Sequence, residues 1–313
     1  MKMDELEQTF LELSTCEYKG VLGVKVFDSG VPGPVVGITI QTHGNEPVGL
    51  AVYPHLKKEL GEGGNLRKGK VFIVVNNVEG SRKFFEAMKA NLEGAEDVGR
   101  VVDVNMNRLP TDFATNLEDQ RYEVVRSREL LPIWSEFEYG LDIHSTSLES
   151  PPMIVALNRS DLSLMSKFPF TNVITNIENV QLGIPASASY GNENTSVFGL
   201  EAGQHGNKDS FDKALDSTNA LLNLLGVINT GVVYEDIEKN IYHITQSMMF
   251  PSDTYKMAKT FETFESVKKG DVVMVSDTEP DVTFPFDCFV LFARDPNAKI
   301  HKGEEALFMA IKQ

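Results

Sequence analysis

His43 and Glu46, within His43-Gly44-Asn45-Glu46-Pro47, offer one imidazole nitrogen and one carboxylate oxygen. Those are two of the three protein donors that a catalytic zinc commonly has. The pair follows an apolar, β-branched run at 35–41, and Pro47 stands where a proline can open a helix, because first-turn N–H groups lack partners anyway. A strand that delivers polar donors to a turn at its C-terminal edge, with a helix behind it, is where open α/β sheets place their sites. The plainer alternative is a solvated turn with an incidental histidine. The same pattern recurs in Leu141-Asp142-Ile143-His144-Ser145-Thr146, a strand ending in a polar turn, whereas His55, His205, His243 and His301 lack a strong strand-end setting. Two strands ending on one sheet edge can bring His43, Glu46 and His144 to one ion. Asp142, on the same side of its strand as His144, can orient a ligand imidazole. The alternative is an ordinary hydrogen-bonded strand-end histidine with Asp142 as a turn residue.

The surrounding pattern supplies elements to position these groups. Residues 5–14 read as a short amphipathic helix, and further helices are expected at 47–60 (kinked by Pro54), 80–92, 117–131 and 208–226. Strands are expected at 21–27, 35–41, 70–76, 139–143, 153–157, 172–175 and 197–200. The stretch 93–110 has no clear period and is rich in Gly, Asp and Asn, which marks a functional loop. Strands alternating with helices imply an α/β fold with a mixed, largely parallel sheet covered on both faces. After about residue 229 the texture changes to short runs at 232–234, 241–244, 271–275, 286–292 and 305–310. The expected organisation is therefore a catalytic domain over 1–229 and a smaller β-rich domain over 230–313.

Composition limits the partners. Lys+Arg 29 against Asp+Glu 45 gives a net charge of −16 with no basic tract, which argues against nucleic acid or an anionic membrane. A small anionic substrate stays compatible, because a local cluster of arginines can dominate within an acidic shell. Cys16 and Cys288 are far apart without metal-ligand spacing, which suits a reducing compartment. The acidic N-terminus lacks a signal-peptide pattern, and no apolar run approaches the roughly 18 residues needed to span a bilayer. A soluble, cytoplasmic protein is expected, and a homo-oligomer remains open.

Motifs in a fixed order then carry a resemblance. His43-Gly44-Asn45-Glu46 is followed by Asn107-Arg108 within Asp103-Val104-Asn105-Met106-Asn107-Arg108-Leu109-Pro110, then by Asp142-Ile143-His144 and by Glu201-Ala202-Gly203. This resembles the succinylglutamate desuccinylase/aspartoacylase family, relatives of the zinc carboxypeptidases, over about residues 20–225, and the β-rich tail fits that family's small C-terminal domain. The resemblance implies that His43, Glu46 and His144 bind one Zn²⁺, with the fourth position left to water. It implies that Glu201, not a ligand, is general base and then proton donor, and that Asn107 and Arg108 hold a substrate carboxylate. Arg100 occupies the place of a further family arginine, eight residues earlier. Glu201 follows the apolar run 197–200, which suits a partly desolvated carboxylate; without the upstream motifs it would read as a surface strand-end glutamate.

This chain departs from the family pattern twice. Asn105 stands where the family has an aspartate, and Gly191 stands ten residues before Glu201, where aspartoacylases carry a carboxylate-holding arginine. The expected activity is zinc-dependent hydrolysis of the amide of a small N-acyl amino acid bearing a carboxylate, with the identity of the acyl group and amino acid open. A zinc carboxypeptidase acting on short peptides needs the same ion and clamp. A catalytically silent binding protein of the same fold would need no base such as Glu201.

Overall fold

The apolar runs of the first two hundred residues become neighbouring strands of one sheet, and the turns that follow its central parallel strands line up on one edge. The computed structural model describes residues 1–157, 159–298 and 300–313. Numbered in chain order, the strands of its main sheet are β1 (Val24–Asp28), β2 (Val35–Ile40), β3 (Lys70–Val75), β4 (Tyr139–Thr146), β5 (Met153–Ala156), β6 (Asn172–Thr175), β7 (Ser196–Gln204), β8 (Asn240–Met249), β9 (Ser266–Val267), β10 (Cys288–Leu291) and β11 (Glu305–Lys312). Their spatial order is β9-β10-β11-β8-β6-β5-β7-β4-β2-β3-β1. The centre, β3-β2-β4-β7, is parallel throughout, as are the β5–β6 and β6–β8 pairs. Antiparallel pairing joins β1 to β3, β7 to β5, and the C-terminal strands to one another. The mixed, largely parallel sheet expected from the sequence is present.

Period-two alternation explains why β3 reads as continuously apolar. Val71, Ile73 and Val75 face one core with Leu6, Phe10, Leu56 and Phe211. Phe72 and Val74 face the other, with Trp134, Phe137 and Tyr190. Covering both faces leaves no place for polar residues in the strand, and each large side chain so buried contributes about 1.5–3 kcal/mol. The helices that cover the sheet are α1 (Met3–Ser14), α2 (Val78–Lys89), α3 (Tyr122–Trp134) and α4 (Lys208–Leu224).

Several elements differ from the sequence expectation. The run 21–27 breaks at Gly23, whose φ of +77° turns the chain so that Val21–Leu22 pairs with Glu17–Tyr18 instead of extending β1. Residues 47–62 are helical in three successive pitches, a 3₁₀ turn (Pro47–Ala51), an α turn (Val52–Leu56) holding Pro54, and a wider π turn (Lys57–Glu62). The helix expected from 117 begins only at Tyr122, because Arg128 donates to the carbonyls of Asn116 and Asp119 and gathers the preceding residues into turns. The run 232–234 forms no strand.

Beyond residue 229 the chain adds β8 to β11 to the main sheet through the parallel β6–β8 pair, and folds a separate antiparallel sheet from Lys256–Met257, Val272–Val275 and Val282–Thr283. A core of its own, including Phe250, Phe261, Val273, Phe284 and Leu307, is the ground for proposing 230–313 as a distinct folding unit, even though its strands extend the shared sheet. Among the described residues, no helix is long and apolar enough to cross a membrane.

Candidate metal centre and substrate site

Three adjacent parallel strands, β2, β4 and β7, carry the polar groups at or just beyond their C-terminal ends. The β2 strand stops abruptly at Gln41, whose φ of +55° is unusual for a residue with a side chain. Its amide secures the reversal by donating to Gly44 O at 2.9 Å and to Ser81 Oγ at 3.0 Å. Gly44 is required here: a Cβ would lie 2.2 Å from Gly80 C and 2.4 Å from Gly99 O. The turn bearing His43 and Glu46 is thus clamped between the start of α2 and the 93–110 loop. That loop is itself held by Glu123 of α3, fully buried, which accepts the backbone N–H groups of Val102, Asp103 and Val104 and the amide of Asn77.

His43, Glu46 and His144 converge, each buried, with donor atoms within 4.8 Å of one another. His43 Nδ1 lies 2.6 Å from Glu46 Oε1, and His144 Nδ1 lies 3.0 Å from Glu46 Oε2. Both imidazoles turn the same nitrogen inward. Their outward Nε2 atoms have partners, Asn105 Oδ1 at 2.9 Å for His43 and Asp142 Oδ2 at 3.0 Å for His144. An outward N–H donated to oxygen leaves the inward nitrogen as a free lone pair, the state a metal needs. Asp142 is fixed in turn: its Oδ1 accepts from Thr39 at 2.8 Å and from Thr42 at 2.9 Å. Tyr190 donates to Thr39, and Asn76 donates to Thr42 and Tyr190, so each hydroxyl in this buried network has a role.

The electrostatics favour a cation at the point of convergence. Burial works against charging Glu46, yet His43 and His144 outweigh it and hold the carboxyl well below its usual range. Burial also opposes a charged His144, but Asp142 and Glu46 outweigh it and raise its pKa, whereas burial and Arg100 lower that of His43. Two imidazoles and a carboxylate, backed by a second carboxylate, form a pocket that retains a proton, and a divalent ion would compete for the same lone pairs. The donor set fits zinc.

Glu201 stands beside this cluster because the β4–β7 register sets it directly opposite His144. Its side chain is partly accessible yet closely surrounded by protein, and among the described residues no hydrogen-bond donor engages its carboxylate. Burial therefore pushes its pKa up to about 8, with His144 opposing the rise and Glu46 adding to it. The β7 strand runs on to Gln204, beyond the expected 197–200, which puts His205 at a strand end after all. His205 Nδ1 meets Ser145 Oγ at 2.8 Å, and the Ser145 N–H donates to Glu46 Oε2 at 3.2 Å.

The arginines are arranged less simply. Arg100 Nη1 lies 2.9 Å from Glu46 Oε1 and so touches the cluster. Asn105 caps a 3₁₀ turn (Met106–Arg108), its Oδ1 accepting from the Asn107 N–H as well as facing His43, which fixes the Asn107-Arg108 pair relative to the cluster. The Asn107 amide oxygen is buried without a partner among the described residues. Arg108 is ion-paired with Glu305 of β11 and donates to Asn107 O and Gln181 Oε1. Gly191 lies at the opposite edge of the sheet, against Phe137 O and Thr195 near the N-terminal ends of β4 and β7, with φ +61° and no room for a Cβ. An arginine counted onto that position could not reach a substrate; the segment that does reach Arg108 presents Gln181. Sequence reasoning missed the Asn105–His43 contact, although both residues sit in quoted motifs, and it missed Glu123, Gln181 and Glu305, which sit in none; Thr39 in β2 and Thr42 just beyond it were a readable sign of a polar network.

No protein-family model matches the sequence, and no curated protein matches it. Solved structures do resemble the fold. A succinylglutamate desuccinylase from Chromobacterium violaceum superposes with a TM-score of 0.68 at 17% identity, covering 98% of this chain and 97% of that one. A succinylglutamate desuccinylase/aspartoacylase from Rhodobacter sphaeroides gives 0.67 at 16% identity, covering 93% and 88%. Murine aminoacylase 3 gives 0.64 at 20% identity, covering 90% and 96%.

Proposed function

We propose that this chain, with the fold that succinylglutamate desuccinylase and aspartoacylase proteins share, is a zinc-dependent amidohydrolase that releases the acyl group from a small, carboxylate-bearing N-acyl amino acid. The observation that carries this reading is the convergence of His43, Glu46 and His144 beside Glu201, whose carboxylate no donor engages among the described residues. In it, those three residues hold one Zn²⁺. Bound there, zinc supplies Lewis acidity, polarising the amide carbonyl and acidifying water. Glu201 takes the proton of the attacking water and passes it to the departing amine, a role suited to a carboxyl whose pKa burial has raised towards neutrality. Asp142 and Asn105 hold the imidazoles so that Nδ1 faces inward. The Asn107 amide, whose oxygen is buried without a partner among the described residues, is available to a substrate donor, and Arg100 and Arg108 belong to the positive region that attracts the carboxylate. Two unpaired cysteines, Cys16 and Cys288, fit a reducing, cytoplasmic setting, and the acidic surface favours a small molecule over nucleic acid or membrane as the partner.

The test is amine release from a panel of N-acyl amino acids before chelation, after it, and after zinc is returned. Activity should vanish with the metal and return with it. Hydrolysis that survives complete metal removal, or a zinc-loaded protein that cleaves no acylated amino acid, would overturn the reading.

A further inference from the structure

A carboxylate is held best by a guanidinium with two parallel N–H donors free along one edge. Arg108 does not have them. Of the five N–H donors a guanidinium carries, Nε donates to Glu305 Oε2 at 2.7 Å, Nη2 donates to the same oxygen, and Nη1 donates to Asn107 O and Gln181 Oε1, each at 2.8 Å. Each edge is engaged, and the charge is already balanced by Glu305. A substrate could take a two-donor edge of Arg108 only by displacing one of these partners.

Arg294 is placed differently. It lies between β10 and β11, where its backbone N–H is fixed to Ala306 O at 2.9 Å. Among the described residues its guanidinium, however, makes only a long Nε contact to Glu305 O at 3.4 Å and a loose 3.8 Å approach to Glu304, and the side chain is 42% exposed. Through Glu305 it adjoins the Arg108 cluster. Burial and the nearby charge of Arg100, which touches Glu46, both lower its pKa. Arg100 opposes Arg108 in the same way. The charges of Arg100, Arg108 and Arg294 oppose one another; Glu46 balances Arg100 and Glu305 balances Arg108, which leaves Arg294 with the most weakly engaged guanidinium of the three. Like charges held together are relieved by an anion that joins them.

Resting on the deacylase reading for its substrate class, we infer that Arg294 takes the substrate carboxylate, while Arg108 anchors the C-terminal strand β11 to the Asn107 turn. The clamp missing from the segment before Glu201 is thereby supplied from the far end of the chain. A substrate held through its carboxylate by Arg294 at one end and by the metal cluster at the other would also tie the C-terminal strands to the metal-bearing loop.

Calorimetric titration of zinc-loaded protein with succinate, and with its neutral diamide as control, tests this without turnover. Arg294→Gln should weaken succinate binding at least tenfold and leave the diamide unchanged; Arg294→Lys should recover most of the loss. Glu305→Gln, which frees Arg108, should change succinate binding less than twofold. The inference is overturned if Arg294→Gln binds succinate like the parent, if Glu305→Gln tightens binding tenfold, or if the parent does not distinguish succinate from the diamide. Amine-release kinetics run in parallel keep the two ideas apart. No turnover with Arg294-dependent succinate binding sinks the deacylase reading alone. Turnover in Arg294→Gln with an unchanged KM sinks the subsite alone, since the subsite requires a KM raised about tenfold with kcat within threefold.

Discussion

The metal side of the candidate site and its arginine side are built by different rules. On the metal side, each inward group is buried and each outward atom is held: His43 by Asn105, His144 by Asp142, and Asp142 by two threonines. On the arginine side the groups are partly exposed, one is neutralised from within by Glu305, and another has only loose contacts. The contrast teaches that the rigid half is the one that must present lone pairs at fixed angles, whereas the half that meets a variable substrate draws its residues from distant parts of the chain. In the proposed reading, reaction class follows from the first half and substrate identity from the second.

The comparison breaks most visibly at Glu201, which belongs to neither half. Glu201→Gln should lower kcat by about 10²–10⁴-fold, the usual worth of a positioned proton carrier, while zinc content stays at the parental level. A variant that lost its zinc as well would move Glu201 into the metal side as a ligand. Next in size, Asp142→Asn should weaken zinc affinity by roughly 10–100-fold, measured by competition with a chromophoric chelator, because the imidazole loses its charged partner. An unchanged affinity would mean that the threonine network, not the carboxylate, sets the ring.

On the arginine side, Arg108→Met leaves Glu305 without its partner and should cost about 1–3 kcal/mol in chemical denaturation, below the value for a fully buried pair because both groups retain some solvent contact. No loss of stability would argue that Arg108 is held ready for a ligand after all. The smallest effect concerns pH. The Glu201 carboxyl is raised in the folded protein to about 8, so between the ordinary carboxylate value and that point the folded chain keeps a proton that the unfolded chain has released. Stability of the metal-free protein should therefore fall as pH rises through that window. Glu201→Gln should remove this loss, flattening the decline between the ordinary carboxylate range and pH 8 and leaving stability at pH 4 unchanged, as followed by thermal unfolding.

The convergence of His43, Glu46 and His144 was legible in the sequence because its signals are local. An apolar strand ending in His43-Gly44-Asn45-Glu46, and another ending at His144 with Asp142 two residues earlier, follow from strand period and turn chemistry alone. The parallel sheet was legible for the same reason. What escaped was set by pairing between distant segments. The β7 strand extends to Gln204 because Thr146 of β4 continues to pair with it past a bulge. Glu305 is 197 residues from Arg108, and nothing near either residue announces the other. The absent arginine at Gly191 was a matter of counting along the chain; in space that glycine closes the opposite edge of the sheet. Asn105 looked like a loss of charge, but its side-chain oxygen both faces His43 and caps the Asn107 turn.

The central claim is that His43, Glu46 and His144 hold one divalent ion. Elemental analysis of the purified protein and of His144→Ala tests it most directly. The account requires close to one zinc per chain in the parent and little or none in the variant, with both still folded. A parent that remains metal-free after incubation with zinc would contradict it.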